Sequence, residues 1–159
     1  ETIALADFLR NLVDEIVQAE NIPPGGVQLA IPEALVVIFD RGHFNQILWN
    51  LVRNAWQHCQ KKEGSVHIAA RAGYMGDAVI FELADDGPGI PAELRGQIFE
   101  PFFTTRPGGT GLGLYIAREL ADANGATLEL LPKSPGAHFR MTLKRASAAA
   151  SAPAAQPEA

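Results

Sequence analysis

Residues 107–120 read PGGTGLGLYIAREL. Gly108, Gly109, Gly111 and Gly113 fall within six positions, and a helix-like apolar run follows at once. Bare backbone N–H groups at a helix N-terminus attract anions, so the stretch reads as a phosphate-binding loop. Spacing excludes two familiar folds. A Walker loop needs Gly-Lys-Ser/Thr at its end, whereas Gly113 is followed by Leu114 and Tyr115. A dinucleotide fingerprint needs G-x-G-x-x-G after a strand. Counted from Gly109 the sixth residue is Leu114, and from Gly111 it is Ile116. The preceding FEPFFTTRP ends in Pro107 and does not read as a buried strand. The fold must therefore be decided by the rest of the chain.

The 159 residues suit one domain with a single core. An apolar fraction of 47% with 19% charged residues is ordinary for a globular chain. The net charge of −5 argues against a nucleic-acid binder. Cys59 is the one cysteine, which excludes an intrachain disulfide and a cysteine-cluster zinc site. No apolar run has the length of a membrane span and no signal peptide opens the chain. A first residue of Glu1 suggests a fragment, with any membrane or sensor portion outside it. Residues 146–159, rich in Ala, Ser and Pro, read as a disordered tail after a domain over 1–145.

Periodicity gives a coarse element order. Residues 2–20 carry a helical apolar stripe, closed by PPGG at 23–26. VQLAI (27–31) and ALVVIF (34–39) read as short strands, the second fully buried. Asp40–Lys61 reads as a long helix ended by Gly64. Residues 65–73 and 77–85 alternate as a hairpin, with Val79, Phe81 and Leu83 on one face. AELRGQ (92–97) is at most a short helix, residues 114–124 are helical, and 126–132 and 137–145 form a last strand pair. The expected architecture is α+β: a two-layer α/β sandwich, a mixed sheet covered on one face by helices.

Three further stretches could carry chemistry. In NQILWNLVRNAWQH (45–58), Asn50 and Asn54 share a helix face four residues apart. Asparagine is a poor helix former and costly to bury unpaired, so both need partners. They either hydrogen-bond neighbouring loops or offer amide oxygens to Mg²⁺. In LADDGPGIP (83–91) a strand delivers an aspartate into a glycine loop. It is either a plain turn or an acceptor for the exocyclic amine of adenine. IFEPFFTTRPGG (98–109) packs three phenylalanines around Pro101 without periodicity. It is either an anchored loop or a hinged lid with Gly89 and Gly108–Gly109 at its ends, which would carry Arg106 to phosphate.

In this order the four motifs resemble the ATP-binding domain of bacterial sensor histidine kinases, as its N, G1, F and G2 boxes. The wider fold is that of gyrase, Hsp90 and MutL (the Bergerat fold). The resemblance covers roughly residues 1–145. The wording FDRGHFNQILWNLVRNAWQH with the short TTRPGGTGLGL connection looks most like the kinases of nitrogen-regulation and type IV pilus systems, the pilus type foremost.

The resemblance implies an ATP and Mg²⁺ site. Asp85 reads adenine, Gly87 and Gly89 let the backbone approach the base, and His58 lies over the purine. Asn54 is the Mg²⁺ ligand, with Asn50 supporting metal or phosphate. Gly109, Thr110, Gly111 and Gly113 wrap the phosphates, and Ile90, Phe99, Thr104, Thr105, Leu112 and Leu114 complete the nucleotide-binding set. One departure stands out. Many members carry a lysine three residues after the second asparagine, where this chain has Gln57. Either Arg106 supplies that charge or ATP is bound less tightly; Lys61 and Lys62 suit a solvated helix end.

Hydrolysing relatives place a glutamate at the position of Asn50, and an amide cannot activate water. The resemblance therefore implies phosphoryl transfer, with Asn50, Asn54 and Arg106 as the catalytic set. The alternatives are a gyrase-like ATPase or a serine kinase of the anti-sigma-factor type. None of His43, His58, His67 and His138 has a phosphoacceptor setting. The acceptor histidine is expected on a separate dimerisation domain, with a response regulator downstream, a monomeric isolated domain, and a cytoplasmic location.

Overall fold

Seven strands form one mixed sheet among the described residues of the computed structural model, which are 1–104, 110–133 and 135–146. The strands are β1 (Thr2–Ala4), β2 (Val27–Ala30), β3 (Val36–Ile38), β4 (Val66–Ala72), β5 (Ala78–Asp85), β6 (Thr127–Leu131) and β7 (His138–Arg145). The helices are α1 (Leu5–Ala19), α2 (Arg41–His58) and α3 (Gly113–Ala123), with one 3-10 turn at Ala92–Leu94. The sheet order is β1-β3-β7-β5-β4-β2, and β6 also pairs with β7. The early residues of β7 take β6, while Lys144 and Arg145 take β3. The β2–β4 pair is parallel and the others are antiparallel.

Alternation explains the two faces. Val79, Phe81 and Leu83 of β5 are buried and lie in register with Leu143, Met141 and Phe139 of β7. Phe44 of α2 meets this layer at Phe81, ring centroids 6.0 Å apart, and stacks toward Phe8 of α1 and Phe39. On the other face Glu82 takes ion pairs from Arg71 and Arg140, which keeps that side polar. The expected α+β architecture, with helices on one face, is what forms.

The element bounds differ from the sequence reading in three places. The segment at 2–20 is not helical throughout: Thr2–Ala4 is extended and pairs with β3, burying Ile3 completely. A sheet partner outweighs the helical period there, because pairing with β3 supplies ladder bonds while Ile3 is buried. β3 is not fully buried either; Val37 is inside but Ile38 is 40% exposed, since only one face of the sheet is covered. Finally, α2 stops at His58 rather than Lys61. Its Asp40 cap accepts from His43 N–H at 2.9 Å. Its end is drawn off the helix path because Gln60 N–H donates to the Asp86 carboxylate at 2.8 Å. Asn124, after α3, ties the two helices: its amide donates to His43 Nδ1 at 2.9 Å and its Oδ1 accepts from Asp40 N–H at 2.8 Å.

Candidate active site

A cavity of about 520 Å³ lies between α2, the loop after β5, the 3-10 turn and the first turn of α3. Of the residues singled out in the sequence, it is lined by Asn50, Asn54, His58, Asp85, Gly89, Ile90, Thr104, Thr110, Gly111, Gly113 and Leu114. The four motifs, spread over 65 positions of chain, therefore converge on one space.

Asp85 reaches the cavity by strand parity. It is the last residue of β5, in step with the buried Phe81 and Leu83, so its carboxylate turns to the helix side. It is 6% exposed. Its Oδ1 accepts from Gly87 N–H at 2.8 Å and Ala137 N–H at 3.4 Å, and Oδ2 has no donor among the described residues. Burial pushes the carboxyl above the usual carboxylate range, offset in part by those N–H groups and the nearby His58 ring. Because the folded value is raised, its stabilising contribution is complete at low pH, below about 3.9, and is lost as pH rises through the raised value. Above that raised value the fold carries a cost for keeping this carboxylate charged.

Asp86 does the opposite work. Its Oδ1 holds Gln60 N–H at 2.8 Å and its Oδ2 accepts from the buried Ser65 hydroxyl at 2.9 Å. These bonds staple the end of α2 to β4 and β5. The Gln60 N–H, then Ser65, holds its carboxyl below the usual range. Its stabilisation is therefore complete above about 3.9 and is lost as pH falls through the lowered value. We expect Asp86→Ala to cost about 1–2 kcal/mol, or about 5 °C in Tm, measured by thermal melts at neutral pH. At a pH below both values the difference from wild type should shrink to the part carried by the neutral hydrogen bonds.

Along α2, Asn50, Arg53, Asn54, Gln57 and His58 face the cavity at spacings of three and four residues. Asn50 Nδ2 is buried without a hydrogen-bond partner. Its amide lies beside Gly113, where a Cβ would stand 3.8 Å from Asn50 Oδ1. His58 Nδ1 donates to the Asn54 carbonyl at 2.8 Å, leaving Nε2 as an acceptor. The Asn54 side chain has no hydrogen bond among the described residues, and no group of three His, Cys, Asp or Glu side chains there could hold a metal.

Some expected residues sit elsewhere. A Cβ on Gly87 would stand 2.1 Å from the His58 carbonyl oxygen, so this glycine lets the loop press against the end of α2 and does not line the cavity. Phe99 packs edge-on against Phe139 at 6.1 Å under the Arg118 guanidinium, which makes it a core anchor. Leu112 precedes α3, where its N–H meets Thr110 Oγ1 at 3.3 Å. Phe103 lines the cavity while Phe102, 73% exposed, points out. Thr105, Arg106 and Gly109 lie outside the described residues, as does the tail beyond Ala146. The sequence reading missed Arg53, Pro91, Leu94, Ile98 and Ala137 as lining residues. The helical spacing of Arg53 with Asn50 was the signal available for the first.

The model for the histidine kinase-, DNA gyrase B- and HSP90-like ATPases matches residues 39–147. The chain belongs to this family. It is 34% identical over 146 residues to the sensor protein kinase PilS of Pseudomonas aeruginosa, an alignment covering 89% of the chain and 27% of PilS. Its fold is similar to the nucleotide-free catalytic domain of the histidine kinase ThkA, with a TM-score of 0.75 and 31% identity over 91% of this chain and 95% of that one. Full-length ShkA in complex with AMPPNP gives a TM-score of 0.76 at 29% identity, covering 95% of this chain and 32% of ShkA. The resemblance read from the four motifs therefore holds, and the chain is a histidine kinase catalytic domain that spans about a quarter of PilS.

Proposed function

We propose that this domain binds ATP with Mg²⁺ and donates the γ-phosphoryl group to a histidine on a separate helical domain of a two-component sensor kinase. A response regulator would receive the phosphoryl group next, on the cytoplasmic side where ATP is found. The observation that carries this reading is the polarity of the cavity. At the His58 end of α2 stands Asp85 with an unfilled oxygen, suited to the adenine amine. At the Asn50 end stands the N-terminus of α3, suited to phosphate. His58 lies eight helical steps on from Asn50, a span of about 12 Å.

Asn50 and Asn54 fit Mg²⁺. The Asn50 amide is not committed to the fold, and turned over it presents oxygen where Nδ2 now lies unpaired. Two amides are a sparse protein set, which suits an ion that takes its other ligands from phosphates and water. When bound, Mg²⁺ neutralises part of the phosphate charge. The chain's own residues do the rest: Asp85 and His58 orient the base, the α3 N–H groups align the phosphates, and Thr110 adds a hydroxyl. Arg106, which lies outside the described residues, would add positive charge toward the same phosphates. In the transfer a histidine nitrogen forms the bond to the γ-phosphorus as the bond to the ADP oxygen breaks.

Among the described residues, no lining side chain beside Asn50 offers a general base for water. Steady-state phosphate release without an acceptor should be on the order of a hundredfold slower than transfer to one. The test is transfer of labelled phosphate in trans to a helical phosphoacceptor domain. Fast release of phosphate with no acceptor present would instead favour the gyrase-like ATPase.

A further inference from the structure

We infer that Arg53 is a phosphate-binding residue of this cavity and does the work of the lysine that Gln57 replaces; this rests on the nucleotide reading above. Among the described lining residues Arg53 is the one permanently cationic side chain, and Asp85 is the one carboxylate. Bringing a polyphosphate into such a space leaves its oxygens short of compensation unless a cation meets them. The N-terminus of α3 contributes about half a charge. Lys61 and Lys62, beyond the end of α2, do not line the cavity.

Position along the helix selects the phosphate end. Arg53 is three residues from Asn50, which abuts Gly113 at the start of α3, and five from His58, which neighbours Asp85. Gln57 is one turn on from Arg53 along the same row, so charge at either position reaches the same side of α2. The guanidinium is not locked in place. Its Nε meets Glu20 Oε2 at 3.4 Å, with the two side chains 50% and 31% exposed. An exposed pair of this kind holds weakly, so the arginine can turn from the carboxylate to a better acceptor. A guanidinium offers five N–H donors in a fork suited to phosphate oxygens.

Calorimetry of Mg-ATP and of adenosine with wild type, Arg53→Gln and Arg53→Gln/Gln57→Lys tests this, with apo melting curves to verify folding. Arg53→Gln should weaken Mg-ATP about tenfold, leave adenosine unchanged, and regain most of the loss on adding Gln57→Lys. Mg-ATP affinity within twofold of wild type in Arg53→Gln would overturn the inference. So would an equal loss for adenosine, which would mark a structural effect. Absence of both ligands' binding to wild type would overturn the nucleotide reading and this inference with it.

Discussion

Replacing Asp85 by asparagine should abolish useful ATP binding while leaving the empty domain as stable as wild type or more so. The asparagine Oδ1 can keep the Gly87 and Ala137 N–H groups. Its Nδ2 then falls where the carboxylate has no donor, so nothing in the fold is lost. The adenine amine, however, would meet a donor instead of an acceptor. Losing a hydrogen bond to a charged acceptor and leaving a buried donor unmet costs about 3 kcal/mol, on the order of a hundredfold in Kd. At any pH above the raised Asp85 value the asparagine relieves the apo fold of a buried charge, so the melting temperature there should hold or rise. Calorimetry with Mg-ATP and melts of the apo protein measure both. Undiminished ATP binding in Asp85→Asn, or in Asp85→Ala, would remove this residue as the adenine acceptor. A fall in apo stability would show that the carboxylate serves the fold first.

Gly136→Ala should have the largest effect on stability. Gly136 sits at φ +74, and a Cβ there would stand 1.8 Å from the Asp85 carbonyl oxygen and 2.8 Å from Asp85 Oδ1. The backbone it meets cannot retreat freely, because Asp85 N–H is bonded to the Ala137 carbonyl at 3.0 Å. Left-handed backbone and an overpacked contact together cost about 3–4 kcal/mol, lowering Tm by about 10 °C. Gly76→Ala is the matched control. It has φ +82 but nothing within 4 Å of its Cβ, so it bears only the backbone cost of about 1 kcal/mol. Equal losses in the two variants would mean that the contact with Asp85 carries no weight. ATP affinity should fall in Gly136→Ala and not in Gly76→Ala, because only the former displaces the carboxylate.

Local pattern made much of this domain legible. The alternation at 77–85 was enough for a half-buried strand, and its parity aimed Asp85 inward with Phe81 and Leu83. The spacing of Asn50 and Asn54 set both on one helix face, and glycines before Leu114 marked an anion-attracting helix start. These features depend on neighbours within a few residues, which is why composition and period reveal them. The short strand at Thr2–Ala4 was hidden because its partner, Val36–Ile38, lies more than thirty residues away.

Tertiary contact decided the rest. Asp86 drew no role from the sequence pattern, yet it binds Gln60 and Ser65 and sets where α2 ends. Gly87 looked like a base-contacting glycine, yet it is required by the His58 carbonyl. Gly136 carried no motif at all and backs the Asp85 carboxylate from another loop. Arg53 carried no role in the sequence reading, and only the cavity sets it beside Asn50 and Asn54. A residue's period says which way it faces. Only packing says what it meets there, and charge, strain and hydrogen-bonding capacity acquire a role only when that neighbour is known.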